Sequence, residues 1–295
     1  MANRTKMIYP VDLQNHSVFS DGSFTPQEII DLAIKRGVKV IAITDHDTVD
    51  GISLSLQYAQ DKPIIIVPGI EFSCEETAKG YPEVHVLGYF IDHTNPEIIS
   101  LTDKIKEKRH LQKRLMIEKL RQLGFDISLE EILTTVNSSF GRPHIAKYLI
   151  KKYPNRFKDI QDVFDQYIGI GKIAYVPRQD KVYIKEAIQA INKSGGFASL
   201  AHPLIYQNSD AEELVKMFVE MGGKALEINY PYHSNTKNTT LEESNEKNKI
   251  ARELAKKYGL LETGGSDFHG GIRPTQIGDG GISEAQFNKL KKIIP

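Results

Sequence analysis

One cysteine stands in 295 residues. Cys74 therefore has no disulfide partner within the chain, which excludes an internal disulfide framework and fits a reducing compartment. Cys74 itself reads as a small packed residue. Net charge is missing too: Lys+Arg and Asp+Glu are both 38. No global field points to nucleic acid, so any anion-binding surface has to be local. No apolar run approaches the ~20 residues of a membrane span, and "MANRTKMIYPVD" lacks the apolar stretch of a secretory signal. A soluble, cytoplasmic protein without membrane contact is expected. Neither a Gly-rich phosphate loop nor a G-x-S-x-G elbow occurs, so a phosphate-cradling P-loop and a serine nucleophile on such an elbow are both excluded. Internal repeats and low-complexity tracts are also absent.

Hydrophobic residues make up 40% of the chain, enough for a sizeable core in one large domain or two small ones. The first helix is well punctuated: Thr25 and Glu28 form a capping box around Pro26, and Gly37 closes the helix. Strands are predicted near 7–13 and at 38–44, 64–72, 84–90, 197–201, 225–230 and 260–265, with helices at 184–194, 210–221 and 241–258. Alternating β and α elements with continuous apolar strands predict a parallel sheet, open or closed into a barrel. Residues 96–172 break this rhythm and read as almost wholly helical, including "SLEEILTTV" with a capping box of Ser128 and Glu131. We read 96–172 as a helical insertion, with 1–95 and 173–295 forming the main domain. The charged run 103–114 reads as a solvated helix face, the functional alternative being a wall that attracts an anionic substrate.

Ligand-type residues gather where strands end. They are His16 and Asp21 after the first strand, His46 after the second, Glu71 at the third, His85 in the fourth, His202 after the fifth, and Asp267 and His269 after the seventh. In β/α barrels the C-terminal rim of the strands is where active sites are assembled. Five histidines and three acids delivered to one rim are costly to bury together unless a metal or a dense hydrogen-bond network compensates. The expectation is a multinuclear metal site. Mixed imidazole and carboxylate donors suit Zn²⁺, Mn²⁺ or Fe²⁺ and argue against Ca²⁺ or Mg²⁺ alone. Metal-activated water is then the natural nucleophile. His93, His110 and His233 lack this placement and read as surface residues, His233 with a weaker claim to contact substrate.

Several of these segments resemble the PHP (polymerase and histidinol phosphatase) family of metal-dependent phosphoesterases. They are "Gln14-Asn15-His16" with "Ser20-Asp21-Gly22", "Ile43-Thr44-Asp45-His46-Asp47", "Pro68-Gly69-Ile70-Glu71", "Glu83-Val84-His85-Val86-Leu87-Gly88-Tyr89", "Ala201-His202-Pro203" and "Gly265-Ser266-Asp267-Phe268-His269-Gly270". The resemblance runs nearly end to end. It implies an α/β fold, a distorted (β/α)7 barrel with the helical insertion, holding two to three divalent ions (Mn, Zn or Fe). It implies one metal between position 14, His16, Glu71 and Asp267, a second among Asp21, His46 and His269, and a third sharing Glu71 with His85 and His202. "Gly141-Arg142-Pro143-His144-Ile145-Ala146" and "Ala174-Tyr175-Val176-Pro177-Arg178" look like signatures of the branch with nucleoside 3′,5′-bisphosphate phosphatases and 5′→3′ exoribonucleases. Arg142, His144 and Arg178 are thereby expected to bind substrate phosphate, for which Arg offers a planar fork.

The implied function is metal-dependent hydrolysis of phosphate esters on a small nucleotide or a short RNA end, with no obligate protein partner. The alternatives are a phosphatase of another small phosphomonoester such as histidinol phosphate, or a catalytically impaired nucleotide- or metal-binding member. Gln14 motivates the last of these, because it stands where the family has the first histidine of an H-x-H motif. A carboxamide is a poorer ligand than imidazole for these metals, so Gln14 is expected to be a weak or lost ligand.

Overall fold

The computed structural model describes residues 8–134, 140–177, 179, 181–206 and 210–293. They fall into two compact units, residues 1–102 with 182–295, and residues 103–181. Within the first unit the chain runs β1 (Val11–Asp12), α1 (Pro26–Lys35), β2 (Val40–Ile43), α2 (Ile52–Ala59), β3 (Ile65–Glu76) and β4 (Tyr81–Tyr89). The helix α3 (Pro96–Gln122) is followed by α4 (Leu129–Leu133), α5 (Arg142–Lys152) and α6 (Ile160–Val163), which continues into a π-turn over Phe164–Ile168. The barrel pattern resumes with β5 (Val182–Tyr183), α7 (Ile184–Lys193), β6 (Phe197–Leu200), α8 (Ala211–Glu220), β7 (Ala225–Glu227), α9 (Tyr232–Asn235), α10 (Leu241–Lys257), β8 (Leu261–Thr263) and α11 (Glu284–Leu290).

The sheet order is β1-β2-β3-β4-β6-β7-β8, with the short β5 paired to β3. β2 and β6 are buried at every position, as strands covered on both faces should be. Beyond the strands, the two ends of the sheet are joined by backbone hydrogen bonds. Leu13 N–H donates to Gly264 O (3.0 Å), Asp267 N–H to Gln14 O (2.9 Å) and His16 N–H to Phe268 O (2.8 Å), curling the sheet into a distorted barrel. Close approach here demands glycine. A Cβ on Gly265 would lie 2.4 Å from the backbone nitrogen of Gln14, and one on Gly22 would lie 2.1 Å from His16 O.

One expectation needs correcting. The sheet is mixed rather than parallel, because β3 pairs antiparallel with β4, and β4 antiparallel with β6. Only a short 3₁₀ turn, Thr77–Lys79, and Gly80 in the left-handed region (φ 85°) separate β3 from β4. A parallel return needs a crossover of a dozen or more residues, and no helix lies between these two strands to provide it. The two-residue strand β5, paired parallel with β3 at Cys74 and Glu75, adds to the predicted strands.

The capping box of Thr25 and Glu28 is present, with Gly37 in the left-handed region (φ 78°) behind the helix. The second box is only half formed. Ser128 accepts the Glu131 N–H (3.2 Å), but the Glu131 carboxylate accepts from Tyr148 Oη instead of returning to the cap. Residues 135 and 136, the end of that expected helix, lie outside the described residues. The second unit has its own apolar core, built from Met116, Ile117, Leu120, Phe125, Ile132 and Leu149 among others.

Candidate metal centre

Six of the eight strands, or the loops that follow them, hand polar side chains to the same place. Glu71 lies within β3, where it pairs with Leu87 while Ser73 pairs with His85. Glu71 and His85 are therefore diagonal neighbours on one face of the hairpin. A parallel bridge sets His46 beside Glu71. The loop after β6 brings His202, and the loop after β8 brings Asp267 and His269. Two of these residues hold unusual backbones: His202 has φ 30° and Asp267 φ 54°, both in the left-handed region. Such positions cost roughly 1–3 kcal/mol each and persist where surrounding contacts over-determine them. At His202 one such contact is its backbone N–H, which donates to Glu227 Oε2 at 2.8 Å.

Glu71 is fully buried and divides the cluster between its two oxygens. Oε1 lies 2.9 Å from His85 Nδ1 and 3.2 Å from His202 Nε2. Oε2 lies 3.0 Å from His16 Nε2 and 3.9 Å from His46 Nδ1, and it accepts the Gln14 side-chain N–H at 3.0 Å. His16 Nε2 is also 3.1 Å from Asp267 Oδ1. On the other side of His16, Asp21 Oδ1 is 3.8 Å from His16 Nδ1 and 3.2 Å from His269 Nε2. Donor atoms of His16, Asp21, His46 and His269 all come within 4.8 Å of one another, as do those of His46, Glu71 and His85, and those of His16, Glu71 and Asp267.

These residues fit metal ions better than they fit one another. Both ring nitrogens of His16, Nδ1 of His46 and Nε2 of His269 are buried without a directed hydrogen bond, although carboxylate oxygens stand close by. Gln14 Oε1 is likewise buried and unpartnered. The His16 ring stacks on His46 and His269 with centroids 4.6 and 4.2 Å apart. Buried ring nitrogens without a directed hydrogen bond are costly unless a cation or a proton takes them up.

Protonation follows the same geometry. Burial, partly offset by Glu71 and Asp21, lowers His46 to about 4, so its ring is neutral at neutral pH. Burial would lower His85 as well, but hydrogen bonds to Glu71 and Glu83 outweigh it and raise the ring to about 10. Burial would raise Asp267, yet His16, His269 and Arg273 hold its carboxyl below the usual carboxylate range. Burial drives Glu227 well above that range.

The structure thus brings His16, Asp21, His46, Glu71, His85, His202, Asp267 and His269 together, with Gln14 pointing into the same cluster. Arg142 and His144 lie in the second unit and have partners there. The Arg142 guanidinium faces the Phe164 and Tyr175 rings at 5.4 and 5.8 Å, and His144 Nδ1 accepts the Gly141 N–H at 3.0 Å, capping α5. Arg178 lies outside the described residues. His93 hydrogen-bonds Ser53 Oγ at 2.8 Å, and His233 Nδ1 is 3.3 Å from Ser244 Oγ.

Sequence reading missed several participants. Tyr230 Oη donates to Asp267 Oδ2 at 2.7 Å, and Arg273 pairs with the same oxygen. Tyr206 Oη accepts the His85 backbone N–H at 2.8 Å and lies 3.2 Å from His202 Nδ1. For Glu227 the available signal was an acid inside the apolar strand "ALEINY"; for Arg273, its position four residues beyond the D-x-H motif.

A cavity of about 450 Å³ opens beside the cluster, with His46, Glu71, His85, His202 and Asp267 in its wall together with Tyr81, Ile205, Tyr206 and Arg273. The profile of the PHP domain matches residues 12–231. The chain belongs to the PHP domain family. It is 32% identical over 263 residues to the 5′-3′ exoribonuclease Rnm of Escherichia coli (strain K12), covering 88% of this chain and 84% of that protein. It is 30% identical over 270 residues to a 3′,5′-nucleoside bisphosphate phosphatase of Chromobacterium violaceum, covering 88% and 87%. A solved structure from Bifidobacterium adolescentis, assigned by its name to the metal-dependent phosphoesterases, superimposes with a TM-score of 0.75 at 25% identity, over 95% of this PHP-domain chain and 94% of the other. No helix among the described residues is long and apolar enough to cross a membrane.

Proposed function

We propose that this PHP-domain protein is a metal-dependent phosphoesterase acting on nucleotides or short RNA ends, with 3′,5′-bisphosphate nucleotides as the preferred class. Its cofactors are two to three divalent ions, Mn, Zn or Fe, to which a mixed imidazole and carboxylate set is suited. The observation that carries the reading is Glu71, a buried carboxylate whose two oxygens each meet a separate group of histidines. One ion would be held by His16, Glu71 and Asp267 with Gln14 at its edge, a second by Asp21, His46 and His269, and a third by Glu71, His85 and His202. Divalent ions so held lower the pKa of a bound water towards neutrality and offset the charge of a phosphoryl group.

The chain's own contribution is positional. The neutral His46 ring presents a lone pair without first losing a proton. His85 keeps its proton against Glu71 until a cation replaces it. Tyr230 and Arg273 fix one oxygen of Asp267 and leave the other facing His16. For Arg142, His144 and Arg178 a role in holding substrate phosphate is proposed on the motif resemblance. A helical insertion over 96–172 within a barrel of 1–95 and 173–295 belongs to the same reading. So does a cytoplasmic setting, on the single buried cysteine.

The test is elemental analysis of the purified protein alongside a substrate panel. Turnover of 3′-phosphoadenosine 5′-phosphate with added Mn²⁺, above that of simple phosphomonoesters including histidinol phosphate, is the expected result. Arg142→Ala should raise KM with metal content unchanged. A second reading, an impaired member that binds nucleotide or metal without turnover, is favoured by one contact: the Gln14 amide occupying Glu71 Oε2. Bound metal without hydrolysis of any phosphate ester in the panel would select it.

A further inference from the structure

We infer that Arg273 is the phosphoryl-binding cation of the barrel, holding a non-bridging oxygen of the phosphate at the metal centre. This inference rests on the phosphoesterase reading above and adds a residue to it.

The first ground is charge. The cavity beside the cluster is lined by three carboxylates, Glu71, Glu83 and Asp267, and Arg273 is the one Lys or Arg in its wall among the described residues. Even with metals neutralising their ligands, a phosphate dianion entering this cavity needs a cation with donors to spare for it. The histidines that ligate metal cannot serve, since their lone pairs are taken. Arg273 carries the fork of donors that matches phosphate oxygens.

The second ground is placement. The guanidinium Nη1 donates to Asp267 Oδ2, while Asp267 Oδ1 faces His16 Nε2 at 3.1 Å. Arg273 is thus one carboxylate away from the cluster. Its side chain is about one-third exposed (32%), in contrast to the 5% of Asp267, so it reaches from the buried centre into the cavity. Among the described residues this is the only hydrogen-bonding contact Arg273 makes, which leaves donors on Nη2 and Nε for a ligand.

The third ground is rigidity of the loop. Gly271 N–H donates to Ser23 Oγ (3.2 Å), Thr275 Oγ1 to Asn235 Oδ1, and Asn235 Nδ2 to Ser266 O (3.0 Å). Gly271 through its backbone and Thr275 through its side chain thus tie both flanks of Arg273 to neighbouring segments, of which Asn235 in turn holds the loop of Asp267. A preorganised donor loses little freedom when its ligand arrives.

The experiment compares the metal-loaded parent with Arg273→Ala and Arg273→Lys, reading three quantities: metal content, binding of inorganic phosphate by calorimetry, and kcat and KM on 3′-phosphoadenosine 5′-phosphate. Read at saturating Mn²⁺, where mass action fills a site weakened by the loss of a contact to Asp267, Arg273→Ala should bind phosphate about tenfold to a hundredfold more weakly than the parent, as loss of a charge-assisted contact implies. Arg273→Lys should recover part of that loss, a point charge replacing a fork. Unchanged phosphate affinity in Arg273→Ala at full metal content overturns the inference. So does loss of metal from Arg273→Ala that Arg273→Lys restores together with phosphate affinity, because the arginine then acts only by positioning Asp267. A parent that binds metal but neither binds phosphate nor hydrolyses any phosphate ester overturns the phosphoesterase reading itself. An active parent with an unaffected Arg273→Ala variant overturns this inference alone.

Discussion

Gln14 donates its side-chain amide to Glu71 Oε2 across 3.0 Å, with its own Oε1 buried and unpartnered. The amide hydrogen therefore occupies a lone pair that an ion between His16, Glu71 and Asp267 would require. To coordinate, the carboxamide has to turn its oxygen inward and give up this hydrogen bond. Restoring imidazole with Gln14→His should raise metal stoichiometry by up to one ion per chain. At limiting metal, activity should rise by roughly the factor of 10–100 typical of changes in the groups around a metal. Excess Mn²⁺ should narrow the difference, since mass action refills a weak site. Unchanged stoichiometry and rate would mean that glutamine serves as an adequate ligand or that this ion is dispensable.

His46 and His202 contact different parts of the cluster, His46 stacking on His16 and His202 meeting Glu71 Oε1 at 3.2 Å. Replacing either with Ala should lower bound metal and remove most hydrolysis. Elemental analysis and initial rates on the same preparation check this, and a His202→Ala protein with full metal content and full rate would remove His202 from the ligand set.

Metal binding should also release protons, and the sign follows from His85. Its ring is raised to about 10 by hydrogen bonds to Glu71 and Glu83 that outweigh burial, so it is protonated in the metal-free protein at neutral pH. A ligating imidazole has to be neutral. Titrating Mn²⁺ into metal-free protein at pH 7.5 in weak buffer should therefore acidify the solution by about one proton per chain from this residue. Apparent metal affinity should climb as pH rises towards 10. His85→Gln should lose this proton, whereas His46, already neutral, contributes none. Equal proton release from the parent and His85→Gln would rule out His85 as a ligand.

Asp12 is the clasp of the barrel. Its Oδ1 accepts the Ser266 N–H at 2.9 Å and the Gln14 N–H at 3.3 Å, and its Oδ2 accepts the Gly278 N–H at 2.7 Å. Asp12→Ala would leave these buried donors without an acceptor, at about 1–3 kcal/mol for each group left unsatisfied. A stability loss of at least about 2 kcal/mol is expected in urea unfolding, together with weaker metal binding because Gln14, His16 and Asp267 lose their shared support. A variant as stable as the parent would show that the sheet ends are held by the backbone hydrogen bonds alone.

The α/β class of the fold, and the placing of ligand-type side chains where strands end, were legible in the residues alone. Ligand-type side chains at strand ends, separated by helices with clear caps, are local features, and local patterns survive without knowledge of the partners. Pairing across the chain was decided only by tertiary structure. The reversal of β4 follows from a turn too short for a crossover, and its register set His85 beside Glu71. That Glu71 Oε1 serves His85 and His202 while Oε2 serves His16 and Gln14 depends on side chains 14 to 131 residues distant from it meeting in one buried place. Gln14 illustrates the division well. Its departure from the H-x-H pattern is visible in the sequence, but its hydrogen bond to Glu71 exists only once β1 and β3 share a sheet through β2. Arg273 and Tyr230 were not legible for the same reason: an arginine in a loop and a tyrosine past a strand gain meaning only when folding brings both to one oxygen of Asp267.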